Sequence, residues 1–232
     1  MLIDCITDPD DPRVTDFPGL PDAVLLRERK VFVAEGRLVV KRLLRATRFR
    51  PRSLLVTKAA LTALEDDLAI YPGVISVYLA TPDLIERICG FKFHRGCLAI
   101  GERPAPLAIG KLLGGVSFHN PLIVAERIND ADNVGSIFRN ASAFGAAAVV
   151  LSRGCCDPLY RKALRASMGA CLQVPFTMLD DCPDDLQILR QFDYHLVALT
   201  PDRKASPLER FYHSDRNSWG GTASRIRGRR AE

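Results

Sequence analysis

Three sets of residues in this sequence carry side chains that can do chemistry together. The first is Ser136, Arg139 and Asn140, which at helical spacing fall on the side opposite Val134, Ile137, Phe138, Ala141 and Phe144. A guanidinium is a planar fork of donors that grips a phosphate or carboxylate through two parallel bonds. The second set is Arg161, Lys162 and Arg165, three cations within little more than one helical turn. They are either a clamp on a polyanionic backbone or an ordinary solvated surface. The third is the loop Gly90-Phe91-Lys92-Phe93-His94-Arg95-Gly96. Aromatic rings stack on unpaired bases and cations neutralise phosphate, although the two Phe side chains could equally pack beneath the loop. A helix over Arg37 to Ala46 adds a basic side, Arg37, Lys41, Arg42 and Arg45. It is open to the same two readings, phosphate-contacting or solvated.

The elements that must position these groups can be read from the chain. Leu122 to Leu151 reads as strand, loop, helix and strand. Leu122 to Val124 is a short apolar run, Asp130, Asp132 and Asn133 are turn and N-cap residues, and Gly145 ends the helix. Ala148 to Leu151 is the next buried strand. Arg139 is therefore expected near the carboxyl end of a strand, where ligands bind in open α/β sheets. A helix over Leu159 to Ala170, strands at Gln173 to Met178 and Tyr194 to Thr200, and a helix at Asp184 to Phe192 continue the alternation, which implies a parallel sheet.

Upstream, strands at Leu54 to Thr57, Val74 to Leu79 and Cys97 to Ile100 alternate with helices at Lys58 to Glu65 and from Thr81-Pro82-Asp83 to Arg87. The chain is expected to divide into a loose Asp- and Pro-rich arm at 1–22, a small α/β module at 23–101, a Pro- and Gly-rich linker at 102–117, a second α/β module at 118–212 and an irregular Arg-rich tail at 213–232. There are no internal repeats.

A net charge of +5 with a pI near 8.9 is compatible with a polyanionic partner but shared by many proteins that bind none. The seven cysteines are odd in number and contain no Cys-x-x-Cys pair, which argues against a disulfide framework and a zinc ribbon and for reduced thiols in the cytoplasm. Met1 to Asp16 has no basic and apolar segment of the signal-peptide kind, and no stretch reaches the apolar length of a membrane span. No Gly-x-Gly-x-x-Gly or Gly-Lys-Ser/Thr loop joins a strand to a helix, so a nucleotide-binding α/β protein ranks low.

Asn133-Val134-Gly135-Ser136-Ile137-Phe138-Arg139, within Asp132 to Gly145, closely resembles the first motif of the SpoU (TrmH) family of RNA 2′-O-ribose methyltransferases. Arg165-Ala166-Ser167-Met168-Gly169-Ala170, with Pro175 after it, is similar to that family's Arg-x-Ser-x-Gly-Ala segment. Phe32-Val33-Ala34-Glu35-Gly36 and His94-Arg95-Gly96 resemble its substrate-binding domain, similar to the ribosomal protein L30e and L7Ae fold. The resemblance covers about residues 30 to 212. It implies a parallel-sheet SPOUT-type α/β-knot domain preceded by a small L30e-like α/β domain. It also implies S-adenosyl-L-methionine as cofactor, tRNA or rRNA as substrate, no metal, and a homodimer.

By the same resemblance Arg139 is the catalytic arginine, Asn133 shapes the RNA-side pocket, and Leu199-Thr200-Pro201 is a cofactor-side strand end. Lys92, His94, Arg95, Arg161, Lys162, Arg165 and Ser167 are the expected RNA contacts. The family's second motif, of Gly-x-Glu-Gly type, falls where this chain has Arg216-Asn217-Ser218-Trp219-Gly220-Gly221-Thr222-Ala223-Ser224. Its third, an Ile-Pro-Met segment followed by Ser-Leu-Asn-Val, has no match. The expectation is a truncated or frameshifted member with an incomplete knot. The alternative to a methyltransferase is a non-catalytic RNA-binding remnant.

Overall fold

Runs such as Val31-Phe32-Val33-Ala34 and Leu54-Leu55-Val56 leave no polar residue for a solvent-facing side, so their strands must be covered on both faces. The structure, a computed structural model, describes residues 2–17, 19–90, 96–117, 120–181, 184–192, 194 and 196–199, and the backbone of 200, 206–207 and 223–227. Along the chain run β1 (Leu2–Cys5), α1 (Asp22–Val24), β2 (Val31–Glu35), α2 (Arg37–Leu44), β3 (Arg50–Val56), α3 (Lys58–Thr62), α4 (Glu65–Ile70), β4 (Ser76–Leu79), α5 (Pro82–Cys89), β5 (Cys97–Glu102) and α6 (Ile109–Gly114). There follow β6 (Leu122–Ala125), α7 (Ala131–Ala143), β7 (Ala148–Ser152), α8 (Arg161–Ala166), β8 (Phe176–Leu179), α9 (Gln187–Gln191), β9 (Leu196–Thr200), β10 (Ser206–Pro207) and β11 (Ala223–Arg227). The chain forms two compact units, Met1–Leu179 and Asp180–Glu232.

In the first unit a five-stranded sheet has the order β1-β4-β3-β5-β2, with β1, β4 and β3 parallel and β5 antiparallel to both its neighbours. The pleat sorts the aliphatic runs. Phe32, Ala34, Leu54, Val56, Cys97 and Ala99 enter one core with Val39, Val40 and Leu43 of α2. Val31, Val33, Leu55, Leu98 and Ile100 enter a second core with Leu84, Ile85 and Ile88 of α5. Thr57 caps α3 and Thr81 caps α5 by accepting the Ala60 and Leu84 N–H groups. A second sheet, β6-β7-β8, is parallel throughout.

Four sequence expectations need correction. Residues 1–22 are not a loose arm. β1 pairs with β4, and Ile6, Val14 and Phe17 are buried in the second core. All four β1 side chains are exposed, Leu2 and Ile3 included, so the strand is held by its backbone and shows no alternation of buried and exposed positions. Residues 102–117 do not separate two cores. They contain α6, and Thr177 Oγ1 of β8 donates to the Leu107 carbonyl.

One core in fact runs from the first sheet to the second. Phe32 packs edge-on to Phe49 at 5.8 Å, Phe49 stacks on Phe176 at 6.4 Å, and Phe176 meets Phe138 edge-on at 5.5 Å. The Arg48 guanidinium lies 4.9 Å from the Phe176 ring centre and donates to the Phe176 carbonyl at 3.0 Å.

The third correction concerns the helix expected over Leu159 to Ala170, which is only Arg161–Ala166, because Met168 and Gly169 take left-handed φ values of 56° and 86°. Last, the tail expected to be irregular contains β11, which pairs in parallel with β9 and β10 in the second unit. One isoleucine in five residues gives no periodic signal.

Among the described residues no helix is long and apolar enough to cross a membrane, and no cluster of three or more His, Cys, Asp or Glu side chains could hold a metal ion.

Candidate functional site

The site is built on α7. Asp130 caps it by accepting the Asn133 N–H at 2.9 Å, as its residue type and position lead one to expect. Val134, Phe138 and Ala141 bury one side of the helix. Phe144, expected on that side, is 81% exposed, because the helix ends at Ala143 and Phe144 occupies the non-helical cap. On the flank facing α8 stands Gly135. A Cβ there would lie 2.6 Å from the Ala166 Cβ, 2.7 Å from the Ala163 carbonyl oxygen and 2.9 Å from the Ser167 nitrogen. Gly135 is therefore the residue that lets two helix backbones touch.

Asn133 and Arg139 are exposed, and neither side chain has a hydrogen-bond or ion-pair partner among the described residues. Helical geometry separates them. Six residues correspond to about 9 Å of axial rise and about 120° of rotation. Asn133 lies in the first turn of α7, and Arg139 about a turn and two thirds further along it.

The loops that follow β6 and β7 are tied to each other. Ser152 Oγ accepts the Arg127 N–H at 2.9 Å and donates to the Arg153 carbonyl at 3.3 Å. Cys155 Sγ accepts the Ile128 N–H and donates to the Ala125 carbonyl, each at 3.3 Å, and the Cys156 N–H donates to the Ile128 carbonyl at 2.8 Å. The α7 N-terminus is thereby fixed to β7. Burial, with Asp157 and Asp130 adding to it, pushes the Cys156 thiol up to about 11, which keeps it protonated near neutral pH.

The cations expected to act as one clamp are divided among three carboxylates. Arg161 is bound from both ends. Its Nε is 2.7 Å from Asp22 Oδ1, its own N–H donates to Asp22 Oδ2 at 2.9 Å, and its Nη2 donates to the Leu20 carbonyl at 2.7 Å. It joins the first-sheet module to α8. Lys162 pairs with Asp132 at 2.9 Å on the surface, and that hydrogen bond holds its ammonium above the ordinary lysine range. Arg165 pairs with Glu35 at 3.1 Å beside a cleft of 640 Å³ lined by Gly36, Arg37, Leu38, Thr57 and Met168.

Ser167, expected to contact RNA, is fully buried. Its hydroxyl donates to the Leu164 carbonyl at 3.0 Å and accepts the Gly169 N–H at 3.2 Å. It finishes α8. Gly169, with positive φ, brings this turn against Arg42 and Val39 of α2. Ser167 and Gly169 of the Arg-x-Ser-x-Gly segment are thus packing groups, and Arg165 is the one of the three that faces the cleft.

Lys92, His94, Arg95 and Pro201 lie outside the described residues, as does most of the 216–224 stretch. In the second unit Leu199 is 73% exposed near the carboxyl end of β9, and Thr200 ends that strand.

One mixed and one parallel sheet, a helix pair packed through Gly135 and exposed polar side chains along α7 define an α/β fold. Residues 120–219 match the SpoU rRNA Methylase family, beyond Arg216 where the sequence pattern changes. An uncharacterized tRNA/rRNA methyltransferase of Mycobacterium tuberculosis is 41% identical over 210 residues, spanning 88% of this chain and 70% of that protein. The 23S rRNA (guanosine-2′-O-)-methyltransferase RlmB of Acinetobacter baylyi is 30% identical over 144 residues, 60% of this chain and 58% of its own. In fold, the AdoMet-bound rRNA methyltransferase of Sinorhizobium meliloti aligns over 99% of this chain and 90% of its own, with a TM-score of 0.71 and 19% identity. This chain belongs to the SpoU family of RNA methyltransferases.

Proposed function

We propose that this protein transfers a methyl group from S-adenosyl-L-methionine to a ribose 2′-OH of tRNA or rRNA. The observation that carries this reading is α7. The helix is locked against α8 through Gly135, yet it holds Asn133 and Arg139 in solvent without partners among the described residues. Rigid, unsatisfied polar groups on a packed element are what a polyanionic substrate needs.

A ribose hydroxyl is a weak nucleophile, and arginine is a poor base because its guanidinium stays protonated. Arg139 therefore acts as a clamp on a backbone phosphate and stabilises the developing alkoxide, not as the proton acceptor. Asn133, in the first turn of α7, orients the target nucleotide. Their separation along α7 matches contacts to different parts of one RNA strand better than convergence on one atom. Lys162 and Arg165 are surface or cleft cations that add to backbone contact, and the loop carrying Lys92, His94 and Arg95 belongs to the same reading.

S-adenosylmethionine, when bound, supplies the electrophilic methyl for in-line displacement. The residues assigned to hold it are Leu199, Thr200 and Pro201. Leu199 fits, since an apolar side chain left 73% exposed near a strand's carboxyl end offers a surface for an adenine ring. The reading carries a homodimer, measurable by sedimentation, a knotted second unit, and a cytoplasmic location.

The test is methyl transfer from labelled cofactor to bulk tRNA and to rRNA, followed by alkaline hydrolysis, which leaves 2′-O-methylated linkages intact. Arg139→Ala is expected to lower transfer by about 10²–10³-fold with an unchanged unfolding midpoint. Cofactor-independent, salt-sensitive RNA binding without any transfer overturns the catalytic reading in favour of an RNA-binding protein.

A further inference from the structure

Arg127, two residues beyond β6, has a left-handed backbone with φ 50°. For a residue with a Cβ that conformation is strained, and glycine would adopt it freely. The strain is held in place from several sides. Ser152 accepts the Arg127 N–H, Cys155 accepts the next N–H, and the Ile128 carbonyl accepts from Cys156. Across the gap stands Gly154, itself at φ 92°, whose missing Cβ would lie 3.7 Å from the Arg127 Cγ. That separation is ordinary van der Waals contact, so what Gly154 supplies is its left-handed backbone.

The arginine so placed is exposed and has no hydrogen bond or ion pair from its guanidinium among the described residues. Strained residues that the surroundings over-determine cluster at ligand sites. The same Ser152 hydroxyl that accepts from the Arg127 N–H donates to the Arg153 carbonyl, so a second exposed arginine backbone is fixed within one hydroxyl's reach. Arg127 thus stands just past the carboxyl end of β6, in the loop that leads to Asn133 at the start of α7.

We infer that Arg127 is a phosphate contact for RNA at this strand edge, the position that the sequence pattern gives to Arg139. The inference rests on the RNA reading above and adds to it a residue outside both recognised motifs. A guanidinium whose backbone is fixed by neighbouring loops holds one phosphate of the bound strand next to the nucleotide that Asn133 faces.

The test compares the full chain with Arg127→Gly, Arg127→Asn and Arg127→Lys, using bulk tRNA and rRNA at several salt concentrations. Glycine relieves the backbone strain, asparagine tolerates it, and lysine keeps the charge. Arg127→Gly and Arg127→Asn are expected to unfold no earlier than the unaltered chain and to bind RNA about 5- to 50-fold more weakly. Each should lower the slope of log affinity against log salt by about one contact, 0.7 to 0.9, while Arg127→Lys keeps the slope. An Arg127→Gly chain with unchanged affinity and slope overturns this inference alone. An unaltered chain whose RNA binding ignores salt overturns the RNA reading beneath it.

Discussion

Gly135 and Ala166 are in direct contact: a β-carbon on Gly135 would stand 2.6 Å from the Ala166 Cβ, and 2.7 Å from the Ala163 carbonyl oxygen. Neither neighbour is the flexible end of a long side chain, so α7 and α8 would have to move apart. Overpacking of this kind costs about 1–3 kcal/mol. Gly135→Ala is expected to lower the thermal unfolding midpoint by several degrees, and to lower methyl transfer further by shifting Arg139. Scanning calorimetry and the transfer assay check both. An unchanged midpoint would mean that the helices part without cost.

Arg161 and Lys162 are neighbours in sequence with different surroundings, one pairing with Asp22 in a half-buried contact and the other with Asp132 on the surface. Arg161 is tied to Asp22 and Leu20, 139 and 141 residues away in the chain. Its side chain is 18% exposed, and Arg161→Ala leaves the Asp22 carboxylate, 19% exposed, without its cation. We expect a loss of about 1–3 kcal/mol in denaturant unfolding with no change in the salt slope of RNA binding. Lys162→Ala, at an exposed pair with Asp132, should do the reverse, leaving stability intact and reducing the salt slope. Measuring both variants by both methods separates a tether from a contact.

The contrast shows which features the sequence makes legible. α7 announces itself through the spacing of Val134, Phe138 and Ala141 and the capping Asp130, because helix periodicity and capping are local physics. α5 does so through Thr81 and Pro82. The partners of Arg161, Arg165 and Ser167 are not local. Asp22 and Glu35 arrive from the first-sheet module, and a cation or hydroxyl beside other cations gives no sign of where its acceptor lies. Arg127 is hard to read from sequence for a related reason. Its only sequence signal is a large residue in a tight strand-to-helix loop, and its φ is not written in its side chain. β1 was missed because its pairing with β4 is a matter of backbone, among aspartates and prolines.

Ser167 gives a sharper test of the recognised segment. Its hydroxyl is fully buried and spans the Leu164 carbonyl and the Gly169 N–H. Ser167→Ala removes both bonds and leaves the end of α8 unfinished, at about 1 kcal/mol each way in typical series. A fall in the urea midpoint with unaltered RNA affinity at low protein concentration is the expected result. A selective loss of RNA binding in a chain of normal stability would return Ser167 to the RNA surface.

The buried thiols give the protein a defined alkaline limit. Desolvation pushes Cys89, Cys97 and Cys171 up to about 12, from an ordinary value of 9.0. The folded chain therefore keeps three protons that the unfolded chain releases between about pH 9 and 12. Stability depends on pH through the difference in bound protons. Below pH 9 both states hold these protons and the contribution is fully present. As pH rises towards 12 the unfolded state gains by ionising while the folded state does not, so stability falls. Urea midpoints should be flat near pH 7–8 in this respect and decline steeply between pH 9 and 11, with Cys97→Ala and Cys171→Ala reducing the slope. Alkylation by iodoacetamide at pH 8 should spare these three thiols in the folded chain and label them in urea, and rapid labelling of the folded chain would show that the thiols are not buried as described.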